Sequence, residues 1–335
     1  KILKRHRLDN KMMLVLFCLV AFNYHLIRFS DWLYADIPFL GTSMIGLWLT
    51  LRQKQYPSVL QILFLAFILS LNTLIKSQGI VLLIVSTVYL FQYSKTRIQS
   101  IIIPLTFIGI KMIIDTLFPY QDSQYLSLLG QINVSGTINN VLYYIKELGA
   151  LYLFHRLPSF ILMINGTIIS ILIAWSLYKH FKSYPLLSSF FIAHLALCIV
   201  WPSFQGMRLL FPILPLIWFF TLLGLQNILK TFISTSFSNK LVYVLLGFNS
   251  LVCLITVHHY WQKDTDFFTS KSMIAITNYM QDHIRQEESI AFVRPRGLRY
   301  ILDSRHAITQ DPNRASYVLK DTIHLEPKAS IVFRT

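Results

Sequence analysis

The chain has 335 residues, 54% of them hydrophobic and only 13% charged, with a positive mean hydropathy. That composition excludes an ordinary soluble domain of this size and points to a polytopic membrane protein. The net charge of +15 does not imply nucleic acid as a partner, because the basic residues fall between apolar runs and not along one stripe.

The opening Lys1-Ile-Leu-Lys-Arg-His-Arg has no initiator Met and no small-residue cleavage site, so the chain is expected to begin inside a longer polypeptide. Apolar runs able to span or nearly span a bilayer follow at 12–29, 37–51, 58–75, 79–94, 98–118, 158–178, 185–203, 209–227 and 241–258. About nine transmembrane helices are therefore expected over 1–258. If Lys1, Lys4, Arg5, Arg7 and Lys11 are cytoplasmic, alternation puts Arg52, Lys54, Lys95, Arg97, Lys179, Lys182, Lys230 and Lys240 on that side too. Everything after about His259 then lies outside the cytoplasm. Cys18, Cys198 and Cys253 all sit in apolar runs and read as small core residues, not as a disulfide framework or thiolate metal site.

The outer segments hold the polar residues that chemistry needs. Asp31 and Asp36 stand between the first two spans in FSDWLYADIPF. They fit either an acidic pair at a membrane mouth or an acidic first turn of the helix beginning near Pro38. Lys76-Ser-Gln-Gly is a tight outer turn, and Lys111 and Asp115 form an i, i+4 pair near the outer end of their span. From Phe118 to Leu157 runs the longest connection, polar at first and then patterned as an amphipathic helix around Val141, Tyr144, Ile145 and Leu148. Arg208 heads the span 209–227, whose Pro212 and Pro215 fall in its opening turns. It reads either as an interfacial arginine that snorkels to headgroups or as an anion clamp.

After His258-His259-Tyr-Trp the pattern changes. SKSMIAITNYMQDHIRQ reads as an amphipathic helix, and SIAFV, YILDS, HAIT and SIVF as short strands. Residues 259–335 are expected to form a small α/β extracytoplasmic domain. Adjacent His258 and His259 would point about 100° apart on a helix and suit an interface better than one metal ion.

By this topology Asp31, Asp36, Lys76, Arg156 and Arg208 share one membrane face although they come from distant segments. Carboxylates beside cations suit a reaction in which a base takes a hydroxyl proton while cations hold a departing phosphate. The forked guanidinium of Arg208 matches phosphate oxygens, and Lys76 adds a point charge.

Three stretches resemble the GT-C membrane glycosyltransferases, in particular the bacterial relatives of protein mannosyltransferases and the aminoarabinose transferase of lipid A. Ser30 to Phe39 is similar to the family's acidic-Pro-Phe segment, Lys76 to Leu90 to its basic-x-Gly-apolar segment, and QGMRLLFPILPL, Gln205 to Leu216, to its Arg-x-Leu-x-Pro-x-x-Pro element. The tail, with Ile290-Ala-Phe-Val-Arg-Pro-Arg, is similar to the small extracytoplasmic domain of many bacterial members. The resemblance implies a polyprenyl-phosphate-linked sugar as donor, a lipid or cell-envelope glycan as acceptor and an inverting transfer at the outer face of a bacterial inner membrane. It further implies a transfer assisted by cations or by a divalent metal ion. It places the family's principal acid upstream of Lys1, matches Asp36 to the second acidic position, and makes Arg208, Lys76 and Gln205 the candidates for the donor phosphate. Asp31 is the further catalytic candidate, and Arg156 and Arg28 are candidates for substrate contact.

Two other functions compete with transfer. A flippase of lipid-linked oligosaccharide would show repeats with broken helices, and neither half of this chain repeats the other. An envelope-polysaccharide polymerase or ligase would draw on Lys146, Glu147, His155 and Arg156 in the long connection. A non-catalytic scaffold is disfavoured by the clustering of acids and cations on one face.

Overall fold

A computed structural model describes Val20, residues 35–53, 57–95, 97–118, 132–151, 157–202 and 206–233, isolated helical positions from Phe237 to His258, and four short strands. The chain divides into two compact units, Lys1–Val257 and His258–Thr335.

In the first unit the described elements are helical. They are α1 (Asp36–Arg52), α2 (Val59–Ile75), α3 (Gly79–Tyr93), α4 (Ile102–Leu117, led in by the 3-10 turn Arg97–Ile101), α5 (Val134–Ala150), α6 (Ser159–His180), α7 (Pro185–Val200), the 3-10 segment Gly206–Ile213, and α8 (Leu214–Phe232). Seven of the expected apolar runs fall on α1 to α4 and α6 to α8; the runs 12–29 and 241–258 lie outside the described residues apart from isolated positions. Among the described residues three helices are long and apolar enough to cross a membrane: Arg97–Leu117, Ser159–His180 and Met207–Phe232. Val59–Ile75, Gly79–Tyr93 and Pro185–Val200 are apolar but shorter. The chain is thus an α-helical protein of membrane character, and its long connection contains a real helix, α5, started by Asn133, whose side chain accepts from the Gly136 amide at 2.7 Å.

Helix boundaries follow from local chemistry. Ser58 and Gln61 form a reciprocal capping box at the head of α2, Pro185 occupies the first turn of α7, and Pro215 that of α8. Pro212 lies inside the 3-10 segment, so the span bearing Arg208 starts as a tight helix and relaxes to α only after Ile213. No charge interrupts Leu214–Gly224, and nearly every residue there is buried. The α4 helix is the opposite case, with apolar side chains such as Leu105, Met112 and Ile113 left exposed, as a lipid-facing helix requires.

Packing between helices relies on small and polar residues. A Cβ on Gly149 of α5 would land on the Leu162 carbonyl of α6, and one on Gly166 of α6 on the Ile145 carbonyl of α5, so these two helices touch backbone to backbone. Asn165 seals the crossing by donating to the Gly149 carbonyl at 2.9 Å. Between α1 and α2, Thr42 and Ser43 donate to Asn72 Oδ1 at 2.7 and 3.1 Å; between α1 and α3, Thr50 donates to Ser86 at 3.2 Å.

In the second unit β1 (Ser289–Phe292), β2 (Ala307–Thr309), β3 (Tyr317–Leu319) and β4 (Phe333–Arg334) form a sheet of order β2-β1-β3-β4. Strand β1 pairs in parallel with β2 and β3, and β3 pairs antiparallel with β4. Two of the strands, β1 and β2, fall on the expected SIAFV and HAIT; β4 shares only Phe333 with the expected SIVF, and β3 is not among the strands expected from sequence. The expected strand YILDS, the helix from Ser270 and His259 lie outside the described residues.

Candidate functional site

Asp36 is the first residue of α1, Lys76 follows the last residue of α2, and Arg208 stands in the 3-10 segment ahead of α8. These three helix ends meet. The Lys76 ammonium donates to Asp36 Oδ1, and Arg208 Nε donates to Asp36 Oδ2 at 2.7 Å. One carboxylate therefore holds a cation on each oxygen. The Asp36 side chain is 0% exposed, whereas Lys76 keeps 15% and Arg208 28%. The acid is sealed beneath the two cations that cover it.

Each partner is placed by its own segment. The N-terminus of α1 presents the positive end of its dipole to the Asp36 carboxylate. Lys76 is held by the turn between α2 and α3, where its amide donates to the Asn72 carbonyl at 3.2 Å and its own carbonyl accepts from Gly79 at 2.8 Å. A Cβ at Gly79 would stand 2.6 Å from the Asn72 carbonyl oxygen and 2.7 Å from Thr73 Cα, so the turn closes only with glycine. Asn72, stitched to α1 through Thr42 and Ser43, thus ties the Lys76 turn to the helix that carries Asp36. The Lys76 ammonium also lies 5.8 Å from the centre of the Phe39 ring, on the ring's face.

The trio carries one negative charge and two positive ones. Burial pushes the Lys76 ammonium below the ordinary lysine value of 10.5, and Asp36 acts against that shift.

The backbone beside Arg208 is held from α7. His194, fully buried, places Nε2 2.8 Å from the Leu209 carbonyl oxygen, and the Cys198 thiol lies 3.6 Å from the same atom. Asn140 of α5 donates to the carbonyls of Ile199 and Trp201, both at 2.9 Å, and closes the C-terminal end of α7. Neither His194 nor Asn140 is among the residues that sequence reasoning singles out. Their signal is weak: a lone histidine in an apolar run, and an asparagine in an amphipathic helix.

The remaining expected site residues divide plainly. Asp31, Gln205, Arg156 and Arg28 lie outside the described residues. Lys111 and Asp115 pair with each other as expected, but both side chains remain 49% exposed on α4, away from any buried cluster. Glu147 of α5 is buried, as is the Tyr144 beside it, and Lys146 is partly covered, whereas His155 lies outside the described residues. Among the described residues no group of three or more His, Cys, Asp or Glu could hold a metal ion. Cys198 is a buried free thiol, in line with a core role.

Comparisons of this chain with protein-family models, with characterised proteins and with solved structures give no match.

Proposed function

We propose that this protein is a membrane glycosyltransferase of GT-C type that moves a sugar from a polyprenyl-phosphate donor to a lipid or cell-envelope glycan. One observation carries the proposal: Asp36, sealed and doubly paired, holds Lys76 and Arg208 side by side as two fixed cations. A phosphate that accumulates charge as its bond to the sugar breaks is the natural ligand of such a pair.

In the proposed transfer an acceptor hydroxyl oxygen bonds to the anomeric carbon as the bond from that carbon to phosphate breaks. The bonding pair leaves with the polyprenyl phosphate, held by Arg208 and Lys76. The acceptor proton goes to a carboxylate other than Asp36, since both Asp36 oxygens already accept from cations. Asp36 organises the cations in the proposal. Nine spans, an α/β C-terminal domain outside the cytoplasm and a bacterial inner membrane complete it.

The test is a transfer assay on the full-length protein in lipid, with a polyprenyl-phosphate sugar and extracted envelope glycolipids. Release of polyprenyl phosphate coupled to sugar on the acceptor is expected from wild type and lost in Arg208→Ala. Movement of the intact lipid-linked sugar between leaflets without cleavage would replace this function by that of a flippase.

A further inference from the structure

The third residue after Leu209 is Pro212, inside the same 3-10 segment. In a 3-10 ladder a carbonyl accepts from the amide three residues on, and proline has no amide hydrogen. The Leu209 carbonyl thus lacks its ladder donor in a place where Leu209 is only 2% exposed. An unmet carbonyl in the core would cost roughly tenfold to a hundredfold in the stability of that local arrangement. The donor comes from another helix, at His194 Nε2, 2.8 Å away. A carbonyl can only accept, so Nε2 bears the proton, and Nδ1 has no hydrogen-bond partner among the described residues. Cys198, one turn further along α7, turns its thiol to the same oxygen.

We propose that His194 is a positioning residue: its Nε2–H replaces the amide that Pro212 lacks, and so fixes the backbone at Leu209 that holds Arg208 against Asp36. The consequence for phosphate binding rests on the function proposed above; the backbone role does not. A histidine that merely fills space in the core would be indifferent to what occupies position 212. A histidine that substitutes for a missing amide becomes dispensable once the amide is restored.

The experiment compares His194→Phe, Pro212→Ala and the double variant in the full-length protein, with farnesyl phosphate as the binding probe and hydrogen–deuterium exchange followed over 206–213. His194→Phe should exchange those amides about tenfold faster and bind farnesyl phosphate about tenfold more weakly. Adding Pro212→Ala should bring both back to within about threefold of wild type. His194→Gln, which keeps a donor near Nε2, should behave as wild type, and His194→Asn should not. The proposal is overturned if the folded double variant is as loose as His194→Phe, or if Gln and Asn variants exchange alike. Should His194→Phe fail to fold, the Gln and Asn pair decides alone. If wild type binds no farnesyl phosphate, the transferase proposal fails while exchange still decides the role of His194.

Discussion

Arg208 Nε meets Asp36 Oδ2 at 2.7 Å across a separation of 172 residues. A carboxylate with no exposure is tolerated only when its charge is met, and here Arg208 and Lys76 meet it from two further helix ends. The contact pins the 3-10 segment ahead of α8 to the start of α1, and it sets two cations side by side.

Replacing Asp36 by Asn leaves both cations without their shared counter-charge. The expected cost is roughly 3 kcal/mol of stability, the usual result of removing one partner from a buried ion pair. Thermal unfolding in detergent would measure it. A midpoint indistinguishable from wild type would mean that the trio contributes nothing to holding the helix ends together.

Arg208→Lys keeps the charge and gives up the planar fork. Binding of farnesyl phosphate should fall about tenfold, while the thermal midpoint moves far less than in Asp36→Asn. Equal affinities for the two proteins would show that position 208 acts as a point charge and not as a forked donor.

Lys76 supplies a pH dependence whose sign can be worked out. Burial lowers its pKa from 10.5 in the folded protein, so the folded chain releases this proton at a lower pH than the unfolded chain does. Between the two values the unfolded state binds more protons, and the Lys76 contribution to stability rises with pH there. Anion affinity moves the other way, because the site loses a cation as Lys76 is deprotonated. Farnesyl phosphate titrations from about pH 7 to 10 should show affinity falling in wild type and staying level in Lys76→Arg, whose guanidinium keeps its proton. A parallel fall in both proteins would remove Lys76 from the anion site.

Gly166→Leu tests the helix crossing and not the chemistry. Even a Cβ there would strike the Ile145 carbonyl, so α5 and α6 must separate, and a loss of roughly 3 kcal/mol or failure to fold is expected. Gly109→Leu, at a position where an added Cβ meets nothing within 4 Å, is the matched control. Similar thermal midpoints for the two variants would show that the close approach is not needed.

Much of the architecture is written in the order of residues. Uninterrupted apolar runs are long enough to need a helix, since a backbone in lipid must satisfy its own hydrogen bonds, and so α1 to α4 and α6 to α8 follow from the runs alone. The gathering of Asp36, Lys76 and Arg208 on one side follows from counting spans and placing basic loops, because alternation alone decides which ends of successive helices are neighbours. The strands at Ser289 and Ala307 are legible from their β-branched and apolar pattern, whereas β3 at Tyr317–Leu319 is too short to show a period of its own.

What no reading of the chain could supply is who touches whom. By sequence Asp36 is equally a base, an organiser or a helix-capping acid; in the fold both its oxygens are engaged and its surface is covered. His194 looks like any lone histidine in an apolar run, and only the fold brings it to the carbonyl stranded by Pro212. Local sequence sets which conformations a segment can adopt, through periodicity, proline and glycine. The pairing of buried charges and orphaned carbonyls is decided by packing, since distant helices alone can bring the missing partner within hydrogen-bond reach.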